Sequence, residues 1–263
     1  ELNEERIHLK KVINEKLWDK ETGFYYDLWK NGKRNMVRHI GAFWALLAEC
    51  ASKEQAKSLI AYLKDEHEFK TPHRIPALSQ SHTQYRKDGD YWCGGVWAPT
   101  NYMVLKGLDK YGEYALSHEI GLEHLKAVTE VYKEQNTLFE NYAPEFINTG
   151  KPSMGNPAKS DFVGWTGLAP ISILFEFVFG IKPEADKKKI RWDIRLLQKF
   201  GVKKYPFGTD GELTLVCEAR KSQNEKPQIS FESNVSLELE VIWGDEEHKQ
   251  SMKLEKARRM ENV

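Results

Sequence analysis

Two helix-forming stretches followed by a long loop without period, repeated along the first 180 residues, constrain this chain more than any other feature. Leu2 to Trp18 places Ile7, Leu9, Val12, Ile13 and Leu17 on one stripe with charges elsewhere, the pattern of an amphipathic helix. Phe24 to Trp29, followed by Asn31-Gly32, reads as a short hairpin. Ile40 to Cys50 is apolar nearly all round and is expected to be buried. Ser52 is set to cap a third helix running to about Asp65, with Glu54 and Gln55 in its first turn. From His67 to Ala98 no helical pattern appears, and a loop of about 30 residues in a compact domain is uncommon and usually functional. Pro99 opens a fourth helix to about Lys110, and Glu113 to Gln135 form a fifth. A second long loop, Asn136 to Gly164, precedes a very apolar sixth helix from Trp165 to Phe179.

Three helix pairs alternating in polarity predict concentric helices, apolar inside and amphipathic outside, with the long loops gathered into one cleft. The character changes after Gly180. Lys189 to Trp192 is strand-like, and Glu212 to Ala219, Gln228 to Glu232 and Ser236 to Trp243 alternate as half-exposed antiparallel strands do. The expected organisation is a helical domain over residues 1–180 and a small antiparallel β domain over 181–263.

Composition narrows the function by exclusion. Lys plus Arg and Asp plus Glu stand at 39 each, so no net field favours nucleic acid, and Lys187–Lys189 and Arg258-Arg259 are isolated. The longest apolar run, about Ile171 to Ile181, is interrupted by Glu176 and is too short to span a bilayer. Cys50, Cys93 and Cys217 are too few for a disulfide framework and read as free thiols, which suits cytoplasm or periplasm alike. His67, His73, His82 and Cys93 share a loop but match no zinc spacing, and no metal or cofactor is expected. Aromatic residues reach 12%, several of them in loops beside Asn and carboxylates, as a sugar cleft needs for apolar pyranose faces and hydroxyl edges.

Three segments could carry chemistry. Asp90 to Tyr102 sets Trp92 and Trp97 around Gly94-Gly95 before a helix that carries Asn101. Glycine admits backbone close to a ligand, although a turn whose indoles plug the core fits equally well. Leu138 to Glu145 holds Glu140-Asn141-Tyr142, a carboxylate placed to orient a water if the loop faces a cleft; most loop glutamates are simply solvated. Asp161 to Gly167 presents Trp165 at the start of an inner helix, more often a packing device.

In this order, Tyr-Trp-x-Gly-x-x-Trp with Asn-Tyr, then Glu-Asn-Tyr, then Phe-Val-Gly-Trp-Thr-Gly resemble the clan of glycoside hydrolase family 63 and the family 37 trehalases, which includes mannosylglycerate-hydrolase-like domains. The resemblance runs from about Trp18 to Gly180. It implies a mainly α fold, an (α/α)6 toroid of the six-hairpin glycosidase type, and hydrolysis of an α-glucosidic or α-mannosidic bond with inversion. Inversion uses two carboxyls about 6.5–9.5 Å apart, one acid and one base, with a water between them. By matching, Glu140 is the base, and Trp92, Trp97, Asn101, Tyr142 and Trp165 line the sugar site. Cys93 stands where the family usually has Arg.

The family's acid is an Asp in an earlier helix pair, so the expected reading is the second half of a toroid with the general acid outside this chain. The acids of the cleft loops, Asp88, Asp90, Glu145 and Asp161, are given no such role. The expected partners are an oligosaccharide or small α-glycoside and the missing N-terminal half, not nucleic acid or membrane. The competing reading is a non-catalytic carbohydrate-binding or assembly module that kept the cleft.

Overall fold

The computed structural model describes residues 1–145, 158–245 and 248–255. The chain divides into two compact units, Glu1–Ile171 and Ser172–Val263.

In the first unit, helix α1 (Leu2–Lys16) carries Glu4 and Glu5 in its first turn and Lys16 in its last, each sign suited to the helix dipole. Its expected apolar stripe is covered only in part: no residue of α1 is fully buried, Val12, Ile13 and Leu17 are half-buried, and Ile7 and Leu9 are 57% and 49% exposed. Two hairpins follow. Strand β1 (Trp18–Asp19) pairs with β2 (Phe24–Tyr25), and the Asp19 carboxylate accepts from the Thr22 amide and hydroxyl to close the turn. Strand β3 (Asp27–Leu28) pairs with β4 (Arg34–Asn35) around the expected Asn31-Gly32 turn. Phe24 anchors an aromatic core, its ring centroid 5.7 Å from Phe43, 5.0 Å from Tyr62 and 6.2 Å from Phe69.

The second helix is shorter than its apolar run suggests. A 3-10 turn, Ile40–Phe43, leads into α2 (Trp44–Leu47), and Glu49 ends it in the left-handed region at φ 53°. Ile40 donates its amide to Ala77 instead of to a helix, and Trp44 stays 39% exposed. Helix α3 (Lys53–Lys64) has the capping box foreshadowed in the sequence, Ser52 and Gln55 each bonding the other's backbone amide. Its buried face is Ala56, Leu59, Ile60 and Leu63. Pro99 opens α4 (Ala98–Lys110). Gly107 lets α4 lie against α2, since a Cβ there would come within 2.9 Å of Leu46 Cβ and the Leu47 amide. Helix α5 (Tyr114–Gln135) ends on Asn136, left-handed at φ 52°. The sixth helix is a 3-10 turn, Trp165–Leu168, widening into a π-helix, Ala169–Val178.

The second unit holds two sheets. One has the order β11-β10-β6-β5, from β5 (Ile181–Glu184), β6 (Lys189–Ile194), β10 (Leu237–Trp243) and β11 (His248–Leu254). The other has the order β7-β8-β9, from β7 (Phe200–Phe207), β8 (Gly211–Cys217) and β9 (Ile229–Ser233). Against the antiparallel expectation, β6 and β10 run parallel, because the chain crosses through the whole second sheet between them. Strands β7 and β11 escape the sequence pattern for separate reasons. A bulge between Val202 and Tyr205 breaks the period of β7, and β11 is an edge strand whose residues, Leu254 and Met252 apart, are exposed.

Candidate active site

The two long loops of the first unit are stitched to each other. Val96 and Tyr142 exchange both backbone hydrogen bonds, at 2.8 and 3.0 Å, so the Gly94-Gly95 segment lies beside the Glu140–Tyr142 segment. Pro76 bridges to Val96 on the other side, and the Ala77 amide donates to the Gly95 carbonyl at 3.0 Å. The His73 amide donates to the Pro144 carbonyl at 2.8 Å. Irregular backbone is thereby held almost like a sheet.

Asn101, expected at the sugar, is wholly buried beneath this arrangement. Its Oδ1 accepts from the Ile75 amide at 2.7 Å, and its Nδ2 donates to the carbonyls of Ile75 and Trp97 at 3.0 and 3.1 Å. The amide is thus spent on the loop. Tyr142 is also buried, its hydroxyl accepting from the Phe139 amide at 3.2 Å, and burial pushes its phenol up to about 12.

The indoles do gather. Trp92 stacks on Trp97 with centroids 4.3 Å apart and planes 12° from parallel, and Trp165 stands 6.0 Å from Trp97. Trp97 is buried, whereas Trp92 and Trp165 are 51% and 42% exposed. Phe162, which opens the Phe-Val-Gly-Trp-Thr-Gly segment but is not among the residues expected at the sugar, extends the group at 5.0 Å from Trp165. Glu140 is fixed at its backbone on both sides. Its amide donates to the Lys159 carbonyl at 2.9 Å, and its carbonyl accepts the Trp165 indole N–H at 3.1 Å. The half-buried Glu140 side chain therefore leaves a rigid point next to a partly exposed aromatic surface.

The other loop acids differ. Glu145 accepts from the Tyr85 hydroxyl and pairs with Lys87 at 3.4 Å, while Asp161 accepts from the Thr137 hydroxyl. A concavity of about 800 Å³ lies away from Glu140, lined by Lys10, Lys53, Lys57, Lys64 and Lys110 with Glu49 and Glu113. It has no aromatic floor beyond Tyr111 and no carboxylate free of nearby lysine.

Behind Tyr142 sits a pair that spacing could not reveal. His73 Nε2 and His124 Nδ1 lie 3.0 Å apart, both rings fully buried. Desolvation, helped by the neighbouring His124, pushes His73 well below the usual histidine range, and desolvation takes His124 to about 4. With folded-state pKa values lowered, the unfolded chain binds more protons below about pH 6.5. Stability is therefore complete above that pH and falls as pH drops through the window towards 4, by up to about 1.4 kcal/mol per pH unit for each ring. Urea unfolding measured between about pH 7 and pH 5 reads this slope; a flat profile would show that the pair does not stay neutral.

The family model of the mannosylglycerate hydrolase MGH1-like glycoside hydrolase domain matches residues 1–166. An uncharacterised protein of Borreliella burgdorferi is 27% identical over 222 residues, covering 81% of this chain, so the chain spans 46% of that relative's length. The GH63 mannosylglycerate hydrolase of Thermus thermophilus, solved in complex with Tris and D-glycerate, superposes with a TM-score of 0.50 at 25% identity. That match covers 60% of this chain and 35% of the hydrolase. The neutral trehalase of Saccharomyces cerevisiae shares the fold, with a TM-score of 0.50 at 21% identity over 63% of this chain and 28% of the trehalase. The chain belongs to the mannosylglycerate hydrolase MGH1-like glycoside hydrolase domain family.

Proposed function

We propose that this chain supplies the base and the aromatic sugar platform of an inverting α-glycosidase acting on an α-glucosidic or α-mannosidic bond. The observation that carries the reading is the double backbone anchor of Glu140 beside Trp165 and the Trp92–Trp97 stack. A base must hold its water by a hydrogen bond and in line with the reacting carbon, which a carboxylate on a fixed backbone can do and a floppy loop cannot. Trp92 and Trp165 take the apolar face of the pyranose. Buried Tyr142 and Asn101 act through the loops they hold. Glu140 is the base, and the general acid comes from the preceding half of an (α/α)6 toroid, of which residues 1–180 form the second half and 181–263 an appended β domain. The exposed apolar residues Leu2, Ile7 and Leu9 of α1 support a partner of that kind.

Tryptophan fluorescence titration with methyl α-D-glucopyranoside and methyl α-D-mannopyranoside tests the platform. One of the two sugars quenches the emission. Trp165→Ala weakens its binding about 5- to 30-fold, since an aromatic face contributes on the order of 1–2 kcal/mol, whereas Glu140→Gln retains it. Equal binding by wild type and Trp165→Ala would remove Trp165 from the site.

A further inference from the structure

Three polar atoms near Gly95 lack a partner among the described residues: the indole N–H of Trp97 and both ends of the Asn141 carboxamide. Asn141 is wholly buried and Trp97 is 1% exposed. Buried polar groups are normally paired, because a donor or acceptor left unmade keeps its whole desolvation penalty. These orphans are also neighbours. A Cβ built on Gly95 would stand 3.1 Å from Asn141 Oδ1 and 3.2 Å from Trp97 Nε1, with the Tyr91 carbonyl oxygen closing the same side at 2.3 Å. Glycine at this position lets the backbone lie close against both orphans, a tight polar notch where any Cβ would collide with the Tyr91 carbonyl.

The chemistry of the notch limits its guest. A donor and an acceptor beside the same glycine suit an oxygen that can both accept and donate. A hydroxyl or a water does both; a carboxylate or phosphate brings no proton, and an ammonium accepts nothing. The position of the notch adds meaning. Asn141 directly follows Glu140, and Trp97 lies under the half-exposed Trp92. Resting on the glycosidase reading, we propose that Asn141, together with the Trp97 indole N–H, binds one neutral hydroxyl-type oxygen and so determines which sugar hydroxyl stands beside Glu140. That oxygen belongs to the sugar itself or to an internal water that the sugar bonds in turn. Asn141 is a positioning residue in this scheme, since it holds the sugar and not the reacting carbon.

NMR of the whole chain with 15N-labelled tryptophan tests this. The indole signals of Trp97 and Trp165 are assigned by their loss in Trp97→Phe and Trp165→Phe. The probes are methyl α-D-glucopyranoside and methyl α-D-mannopyranoside. If the sugar hydroxyl is the guest, the Trp97 N–H shifts on addition of one glycoside, and Asn141→Leu lowers its affinity at least about tenfold. If water is the guest, the free protein shows cross-relaxation between that N–H and a long-lived water, which Asn141→Leu abolishes; Asn141→Ser serves should the leucine variant not fold. A glycoside that moves Trp165 while Trp97 responds neither to sugar nor to water leaves the cleft standing and refutes the notch. A bound water at Trp97 with no response of either indole to the glycosides upholds the notch and counts against the glycosidase reading. A Trp97 signal indifferent to sugar, water and Asn141→Leu overturns the proposal outright.

Discussion

Replacing Asn101 with leucine is expected to lower stability by about 3–5 kcal/mol, more than any other single polar-to-apolar change near the cleft. The side chains are similar in volume, so the cost is not a cavity. It lies with Ile75, which is itself fully buried and takes both its amide and carbonyl bonds from the Asn101 carboxamide. Leucine leaves both backbone groups in the interior without partner, at about 1–3 kcal/mol each. The Trp97 carbonyl suffers less, because the Thr100 hydroxyl and the Asn101 amide still reach it. Loss of the Ile75 anchor loosens the Pro76–Val96 bridge and, through Val96, the segment that carries Glu140. Urea unfolding of wild type and Asn101→Leu should therefore show a lowered midpoint with an unchanged slope. A difference below about 1 kcal/mol would mean that these backbone groups find other partners, and the loop would not depend on Asn101.

This residue marks how far the sequence could be read. The helices were legible where periodicity and capping agreed: Ser52 with Gln55, Pro99 at the head of α4, and the apolar face of α3. The pattern of Ile40–Cys50 promised a longer buried helix. Its chain opens with a 3-10 turn and stops where Glu49 turns left-handed at φ 53°, a local conformation that propensity does not encode. Motif matching found the segments that meet in space, because Val96 and Tyr142 lie inside two of them. It did not separate side chains that face the cleft from those that hold it. Asn and Tyr in such motifs look alike whether their polar ends meet sugar or backbone, and only the hydrogen-bond partners of Asn101 and Tyr142, and the want of any at Asn141 among the described residues, distinguish them. The His73–His124 pair was hidden for a simpler reason, since its members lie 51 residues apart on a loop and a helix. In the β unit, the parallel pairing of β6 with β10 follows from a crossover through a second sheet, which alternation of polarity cannot foretell.

The second large effect is expected at Glu140, and it needs a substrate suited to a chain in which the acid is supplied from elsewhere. Departure of an alkoxide depends on protonation, but fluoride leaves an anomeric carbon with little help, so α-D-glucopyranosyl and α-D-mannopyranosyl fluoride report on the base alone. Glutamine keeps the size and the backbone anchors of Glu140 while removing its ability to take a proton from water. General-base catalysis of this kind is worth about 10²–10⁴ in rate. The most direct measurement is 1H NMR of the sugar released from these fluorides by the wild-type chain and by Glu140→Gln. Release of the β-anomer first, with a rate reduced at least about a hundredfold in the variant, is the predicted result. Release of the α-anomer first, or equal rates in the two proteins, would contradict the assignment of Glu140 as the base of an inverting glycosidase.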